Sequence, residues 1–214
     1  ITIAGPSSSN KTTFAKRLQI ALAGFGHGSI LIEMDDYFVD VEKSPHDEDG
    51  NEDWESFDCI DTPLLSDRVN ALVRGETVKR RKFDWEKGFS YDDPKEELFL
   101  KKGNFLIIEG IHGMNPKLIE SLGGREKVSQ IYIQPTSPLQ IDHNHRFSCS
   151  DYRLIRRLTR DYFFRAFPPR STINIWTSVR YGEMTNIFPY QENADYYFNS
   201  ALFYDIPVIG LFAK

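Results

Sequence analysis

The chain has 214 residues, 40% of them hydrophobic and 27% charged, with a formal net charge of −5 and an isoelectric point near 5.6. That length suits one α/β core in a single domain, and the acidic balance excludes a general nucleic-acid binder, because neutralising a phosphate backbone needs a basic surface. No apolar run approaches the roughly 20 residues that cross a bilayer, no signal-peptide pattern opens the chain, and Cys59 and Cys149 are spaced for neither a disulfide framework nor a zinc site, so the composition predicts a cytoplasmic protein.

The first element is a short apolar strand, Ile1 to Gly5, followed by a helix from Lys11 to Ala23 in which Phe14, Leu18 and Leu22 recur at helical spacing. Between them runs Gly5-Pro6-Ser7-Ser8-Ser9-Asn10-Lys11-Thr12. This matches the Walker A spacing G-x-x-x-x-G-K-[ST] at every fixed position except Asn10, where a Gly is expected. In such a P-loop, backbone N–H groups curl around phosphates, the Lys contacts the terminal ones, the Ser/Thr hydroxyl holds magnesium, and the helix N-terminus adds its positive dipole. Gly5, Ser7, Ser8, Ser9, Asn10, Lys11, Thr12 and Thr13 are therefore the candidate nucleotide contacts. A Ser-rich turn that only caps a helix would explain Ser7 to Ser9, but not the Lys-Thr pair at this offset from a strand. Asn tolerates left-handed backbone next best after Gly, yet its side chain can crowd the phosphates. That leaves a second reading, a nucleotide-binding regulatory module with weakened or lost catalysis.

A second strand is predicted at Ser29 to Met34 and is followed by Asp35 and Asp36. The acid-rich stretch Asp40 to Asp61 has little apolar content before Trp54 and Phe57 and reads as a mobile surface loop. Val78 to Trp85 and Glu97 to Leu100 read as short strands around the turn at Lys87-Gly88, a small β-appendage. Further strands are expected at Asn104 to Glu109, Val128 to Gln134 and Val208 to Phe212. Strands alternating with helices, and apolar runs such as Ile30-Leu31-Ile32 and Phe105 to Ile108, argue for a parallel sheet covered on both faces.

In open α/β sheets ligands sit beyond the carboxyl ends of the strands, which brings Asp35, Asp36 and Glu109 toward the P-loop. A carboxylate that accepts a hydroxyl proton and a second that orients a magnesium water shell are what a hydroxyl kinase needs; Asp35 suits the first role and Glu109 the second. Between Asp151 and Phe167, Arg153, Arg156, Arg157 and Arg160 share one helical face, with Arg165 beyond. Guanidinium groups bind phosphate bidentately, so a closing Arg-bearing lid is a natural kinase part. His143 and His145 in Asp142-His143-Asn144-His145 lie two apart with no third ligand spaced for a closed metal site. His112 either lines a pocket or bonds a backbone carbonyl.

Together these residues resemble the uridine kinase and phosphoribulokinase family, and within it the uridine kinase-like nucleoside kinases, over nearly the whole chain. The resemblance rests on Ile3 to Ser9, Met34-Asp35-Asp36-Tyr37-Phe38, Phe83-Asp84-Trp85, Ile108 to Gly113, Arg153 to Arg157 with Arg160-Asp161, and Ile187 to Tyr190. It implies an NMP-kinase-like P-loop fold of three αβα layers around a parallel sheet, in one domain spanning 1–214, with a β-hairpin appendage at about 76–101 and an Arg-rich helical lid at about 151–170. It implies ATP with Mg²⁺ as donor and transfer to the 5′-hydroxyl of a nucleoside. In those terms Asp35 looks like the base, Lys11 and Thr12 the phosphate and magnesium contacts, and Glu109 the acid near the metal. Arg153 resembles a catalytic substrate contact, and Arg156, Arg157, Arg160 and Arg165 resemble lid residues over ATP. Asp35, Tyr37, Phe38, Phe83, Asp84, Trp85 and His112 fall in the segments that touch the acceptor. Three positions depart from the pattern: Asn10, Ala166 where a lid Gly follows Arg165, and Gly88 near a base-reading His, so no pyrimidine preference is assumed. The expected partners are a nucleoside and ATP, with no nucleic acid or membrane; a homo-oligomer or a fusion to flanking domains stays open, since the chain reads as excised from a longer one.

Overall fold

The opening strand, β1 (Thr2–Ala4), lies at the centre of a five-stranded sheet ordered β2-β5-β1-β6-β7, with β2 at Ser29–Glu33, β5 at Phe105–Glu109, β6 at Gln130–Gln134 and β7 at Tyr196–Asn199. All four pairings are parallel. The computed structural model describes residues 1–46, 50, 52–136, 142–144, 147–165 and 167–213, so part of the acid-rich stretch, His145, Ala166 and Lys214 lie outside the described residues.

Parallel strands need crossovers, and the helices that supply them bury both faces of the sheet. Leu31, Ile107, Ile3 and Ile133 point to one face, where Phe14, Ala15, Leu18 and Leu22 of α1 (Lys11–Gly24) cover them. Their strand neighbours Ile32 and Ile108 point to the other face, against Leu65 and Leu72 of α2 (Thr62–Val73) and Leu118 of α3 (Pro116–Ser121). The period-two alternation of a strand thus explains why both members of each apolar pair are buried. Each fully buried Leu contributes roughly 1.5–3 kcal/mol. Local signals set where the helices begin: Asp61 accepts from the Leu64 N–H with Pro63 in the first turn, and Asn115 accepts from the Lys117 N–H ahead of α3.

The appendage is a two-stranded antiparallel hairpin, β3 (Thr77–Asp84) and β4 (Phe89–Phe99), with a register shift between Lys79 and Arg81. Its second strand is longer than the short run expected. α4 (Cys149–Phe164) and α5 (Pro169–Asn186) pack together beside the P-loop, and α4 begins where the Ser148 hydroxyl accepts from the Asp151 N–H.

Two expectations fail. The last strand is not at Val208 to Phe212: Tyr196-Tyr197-Phe198-Asn199 joins β6 as β7 instead, and residues of the expected strand fall in α6 (Asp205–Ile209) and the turn after it. Aromatic residues suit a pleated edge, whereas Asp205 is tied to Arg156 and to the Tyr152 hydroxyl of α4, which fixes the following turn against that helix. The segment before Asp61 is not a mobile surface loop in its described second half. Cys59 is buried and donates to the Asp53 carbonyl, Phe57–Cys59 form a 3-10 turn, and Phe38 bridges Ile60. Trp54, Phe57 and Ile60 pack on the core, which outweighs the polar composition around them. Among the described residues no helix is long and apolar enough to cross a membrane.

Candidate active site

The loop between β1 and α1 sits at the carboxyl end of the sheet and is shaped by steric necessity. A Cβ on Gly5 would lie 2.0 Å from the Ile133 carbonyl oxygen, so only Gly lets β1 turn away beside β6. Ser8 and Asn10 adopt positive φ, 60° and 70°, and Asn10 caps α1 in the left-handed region. The predicted substitution of Asn for Gly is thus accommodated by the backbone. Lys11 Nζ donates to the Pro6 carbonyl across the loop at 3.3 Å, and the Thr12 hydroxyl donates to Glu109 Oε1 at 2.6 Å. Ser9 is fully buried, and Ser8 Oγ, Ser9 Oγ and Glu109 Oε2 are buried without a hydrogen-bond partner. Orphaned buried polar atoms are rare in finished interiors. Clustered around a lysine at a helix N-terminus, they fit a triphosphate with a divalent cation held by Thr12 and Glu109. Thr13, in the same helical turn, is exposed.

Asp35 and Asp36 lie on the 3-10 turn Met34–Tyr37 that follows β2 directly, and their surroundings differ. Asp36 Oδ1 accepts from the Phe83 N–H at 3.4 Å and so ties the turn to the hairpin; burial and then Glu33 push its pKa up to about 6. Asp35 lies close enough to Lys11 and Glu109 to act on the charge of each. Burial lowers the pKa of Lys11, and Glu109, Asp35 and Glu55 oppose that shift. Burial pushes Glu109 up to about 7, against the pull of Lys11. Lys11 and Glu109 therefore share one desolvated cluster at the head of α1, with Asp35 acting on both charges.

The arginines of α4 do not form the single basic face that their spacing predicts. Arg153 is fully buried, grips both carboxylate oxygens of Glu183 on α5, and donates to the Ser7 carbonyl at 2.9 Å. Arg156 turns away, to Asp205 and the Ser200 carbonyl. In this structure both guanidiniums are held by buried carboxylates, Arg153 by Glu183 and Arg156 by Asp205, rather than presented together on one open face. Arg157 does face the loop, donating to Ser7 Oγ at 2.9 Å, with Asp161 Oδ2 at 3.3 Å behind it. Arg160 is held by Asp161 and acts on the pKa of Lys11. Arg165 lies over the Trp85 ring at 5.0 Å.

Across the cleft, Phe38, Trp54, Phe83 and Trp85 form a cluster with ring centroids 5.0–6.1 Å apart. Trp85 is 52% exposed, while Tyr37 and Phe83 are buried in the core behind it and support the wall from inside. The Asp84 carboxylate is used locally, accepting from the Glu86 and Lys87 N–H groups to close the hairpin turn. His112 is buried edge-on to Phe57, and burial drops its pKa to about 4, leaving a neutral ring.

Sequence reasoning missed Glu55, Trp54 and Glu183. Glu55 was indistinct in a run of acids, and Glu183 is a lone acid on α5 whose partner lies 30 residues earlier. Only Trp54, an aromatic in a polar stretch, offered a signal.

The Phosphoribulokinase / Uridine kinase family model matches residues 1–143. The chain is 28% identical over 198 residues to a uridine kinase from Clostridium botulinum (strain Kyoto / Type A2), covering 91% of this chain and 84% of the relative. Among solved structures it is similar to one described as a possible uridine kinase from Bacillus stearothermophilus, with a TM-score of 0.57, 20% identity and coverage of 92% and 86% of the two chains. It is also similar to phosphoribulokinase from Rhodobacter spheroides, with a TM-score of 0.55, 14% identity and coverage of 91% and 67%. The parallel sheet with its flanking helices is the P-loop kinase fold.

Proposed function

The chain belongs to the Phosphoribulokinase / Uridine kinase family, and on that premise we propose that it transfers a phosphoryl group from ATP to the 5′-hydroxyl of a nucleoside. The observation that carries the reading is the desolvated pair Lys11 and Glu109, with Asp35 close enough to act on both charges, beside the orphaned Ser8 and Ser9 hydroxyls. Magnesium-bound ATP, when present, supplies the transferable phosphoryl group and charge neutralisation at its oxygens.

The chain's own groups divide the remaining work. Lys11 and the N-terminal amides of α1 would bind the phosphates, and Thr12 and Glu109 would hold the divalent cation. Asp35 accepts the proton of the acceptor hydroxyl, orienting the oxygen toward the loop. Arg157 and Arg160, set on Asp161, place positive charge against the loop, where charge on the transferring group is balanced. In this reading 76–101 is the acceptor-side appendage and 151–170 the lid of one kinase domain, with the Arg165–Trp85 stack joining them.

The test is incubation with ATP, magnesium and a panel of nucleosides, reading monophosphate formation, for the wild type and Asp35→Asn. Loss of a positioned base lowers kcat by about 10²–10⁴-fold, with ATP binding retained. Equal turnover by the two proteins removes Asp35 from the chemistry, and no product from any acceptor removes the reading.

A further inference from the structure

We infer that Ser90 of the hairpin is a positioning residue for the proposed base: its hydroxyl fixes the turn that carries Asp35, so that hairpin and base hold one offset from the P-loop. The inference rests on the kinase reading above and adds to that site a residue that acts through the backbone of the turn.

Among the described residues none hydrogen-bonds the Asp35 carboxylate, so its aim follows from the backbone of the turn Met34–Tyr37 and the two residues after it. That strip is held along two edges. On one, the Tyr37 carbonyl accepts from the Asp61 N–H at 2.8 Å and the Val39 N–H donates to the Cys59 carbonyl at 2.8 Å, which fastens the strip to the segment leading into α2. On the other edge the partners come from the hairpin. Ser90 Oγ donates to the Phe38 carbonyl at 2.7 Å, with the Asp36 carbonyl at 3.3 Å, and the Phe83 N–H donates to the Asp36 carboxylate.

The alternation of β4 places Ser90 for this contact. Side chains point to opposite faces along a strand; Phe89 and Tyr91 on either side are exposed, while Ser90 is half-buried on the other face. Ser90 is paired across the hairpin with Phe83, so two cross-strand partners supply both donors. The seam continues beyond them: the Ser90 N–H donates to Asp40 Oδ1 at 3.4 Å, and the Gly88 carbonyl accepts from the Val41 N–H at 2.9 Å. Gly88 has a φ of +70°, and a Cβ there would lie 2.6 Å from Val41 Cγ2, so the hairpin tip meets this segment at close range. Among the described residues no other hairpin side chain hydrogen-bonds the strip, and 2.7 Å is the shortest contact of the seam. The Ser90 hydroxyl is therefore the one tie that a substitution removes without altering a backbone group. Misplacing a reacting group by about 1 Å costs as much as 10²-fold in rate, so loosening the turn should register in the chemical step.

The experiment measures kcat and the KM for ATP in wild type, Ser90→Ala and Ser90→Thr, each also in an Asp35→Asn background, together with hydrogen exchange of residues 34–39 read by mass spectrometry. Ser90→Ala should lower kcat by about 2- to 10-fold, the rate equivalent of one hydrogen bond, leave the KM for ATP unchanged, and speed exchange at residues 34–39 but not in α1. Ser90→Thr keeps the hydroxyl and should restore both. In the Asp35→Asn background Ser90→Ala should cost nothing further, because a residue that acts through the base has no effect once the base is gone. A loss of the same factor in both backgrounds, without rescue by threonine, overturns the inference and leaves the kinase reading intact, as does an unchanged kcat in folded Ser90→Ala. Ser90→Cys, close in shape but a weak donor, takes the place of Ser90→Ala if circular dichroism shows that variant unfolded. Should wild type turn over no acceptor, the kinase reading falls and exchange alone decides: faster exchange confined to residues 34–39 upholds the tie, and unchanged exchange overturns it.

Discussion

The two sides of the cleft are built on different principles. The phosphate cradle is braced from behind by charge: Arg153 holds the Ser7 carbonyl, Glu183 holds Arg153, and Arg157 holds the Ser7 hydroxyl. The opposite wall, the acceptor side in the proposed function, is braced by rings, with Phe38, Trp54, Phe83 and Trp85 in mutual contact, and it leaves Glu55 Oε2 without a partner. A cradle that must fit one invariant group gains from preorganisation. A wall that must choose among acceptors does so through the few polar atoms it leaves open.

The largest expected effect breaks the cradle's brace. Glu183→Gln leaves the fully buried Arg153 with an uncompensated charge, which should cost about 3–5 kcal/mol of stability. Urea unfolding measures it, and ATP affinity should fall with it as Ser7 loosens. A change within the range of a surface substitution would mean that the pair does not anchor the loop.

Next in size is a pH effect that assigns a share to each side. Glu109 of the cradle and Glu55 of the wall are raised to about 7, and Asp36 to about 6, each chiefly by burial. A carboxylate with a folded pKa above its unfolded value near 4.3 keeps a proton that the unfolded chain has released. Its stabilisation is complete below that unfolded value and declines as pH rises through the folded pKa. Nucleotide-free protein should therefore lose stability between pH 5 and pH 7.5, by about 2 kcal/mol for each of the two glutamates and about 1 kcal/mol for Asp36. Glu109→Gln and Glu55→Gln should each flatten part of that slope, and a stability that climbs over this window would contradict the burial argument.

The smallest effect concerns Asn10. Its left-handed φ of 70° suits Gly better than Asn by a fraction of about 1 kcal/mol, so Asn10→Gly should raise the thermal midpoint slightly and change ATP affinity by less than about fivefold. Activity that appears only in the Gly variant would favour the regulatory-module reading and would show that the cradle is not complete as it stands.

By itself the sequence determined four of the sheet's five strands, the first helix, the P-loop and the placement of Asp35 and Glu109 directly after strands. Each of these is written in contiguous residues: an apolar run, a 3.6-residue period, a fixed spacing, or a position directly after a strand. Only the tertiary structure decided how the arginines of α4 are partnered. Spacing places Arg153, Arg156, Arg157 and Arg160 together, but Glu183 and Asp205, 30 and 49 residues later, claim the first two. It also decided that Glu55 is buried and that β7 forms at Tyr196–Asn199. The physical reason is the same in each case. Desolvation and pairing depend on which distant segments pack against a residue, and local periodicity carries no record of those partners.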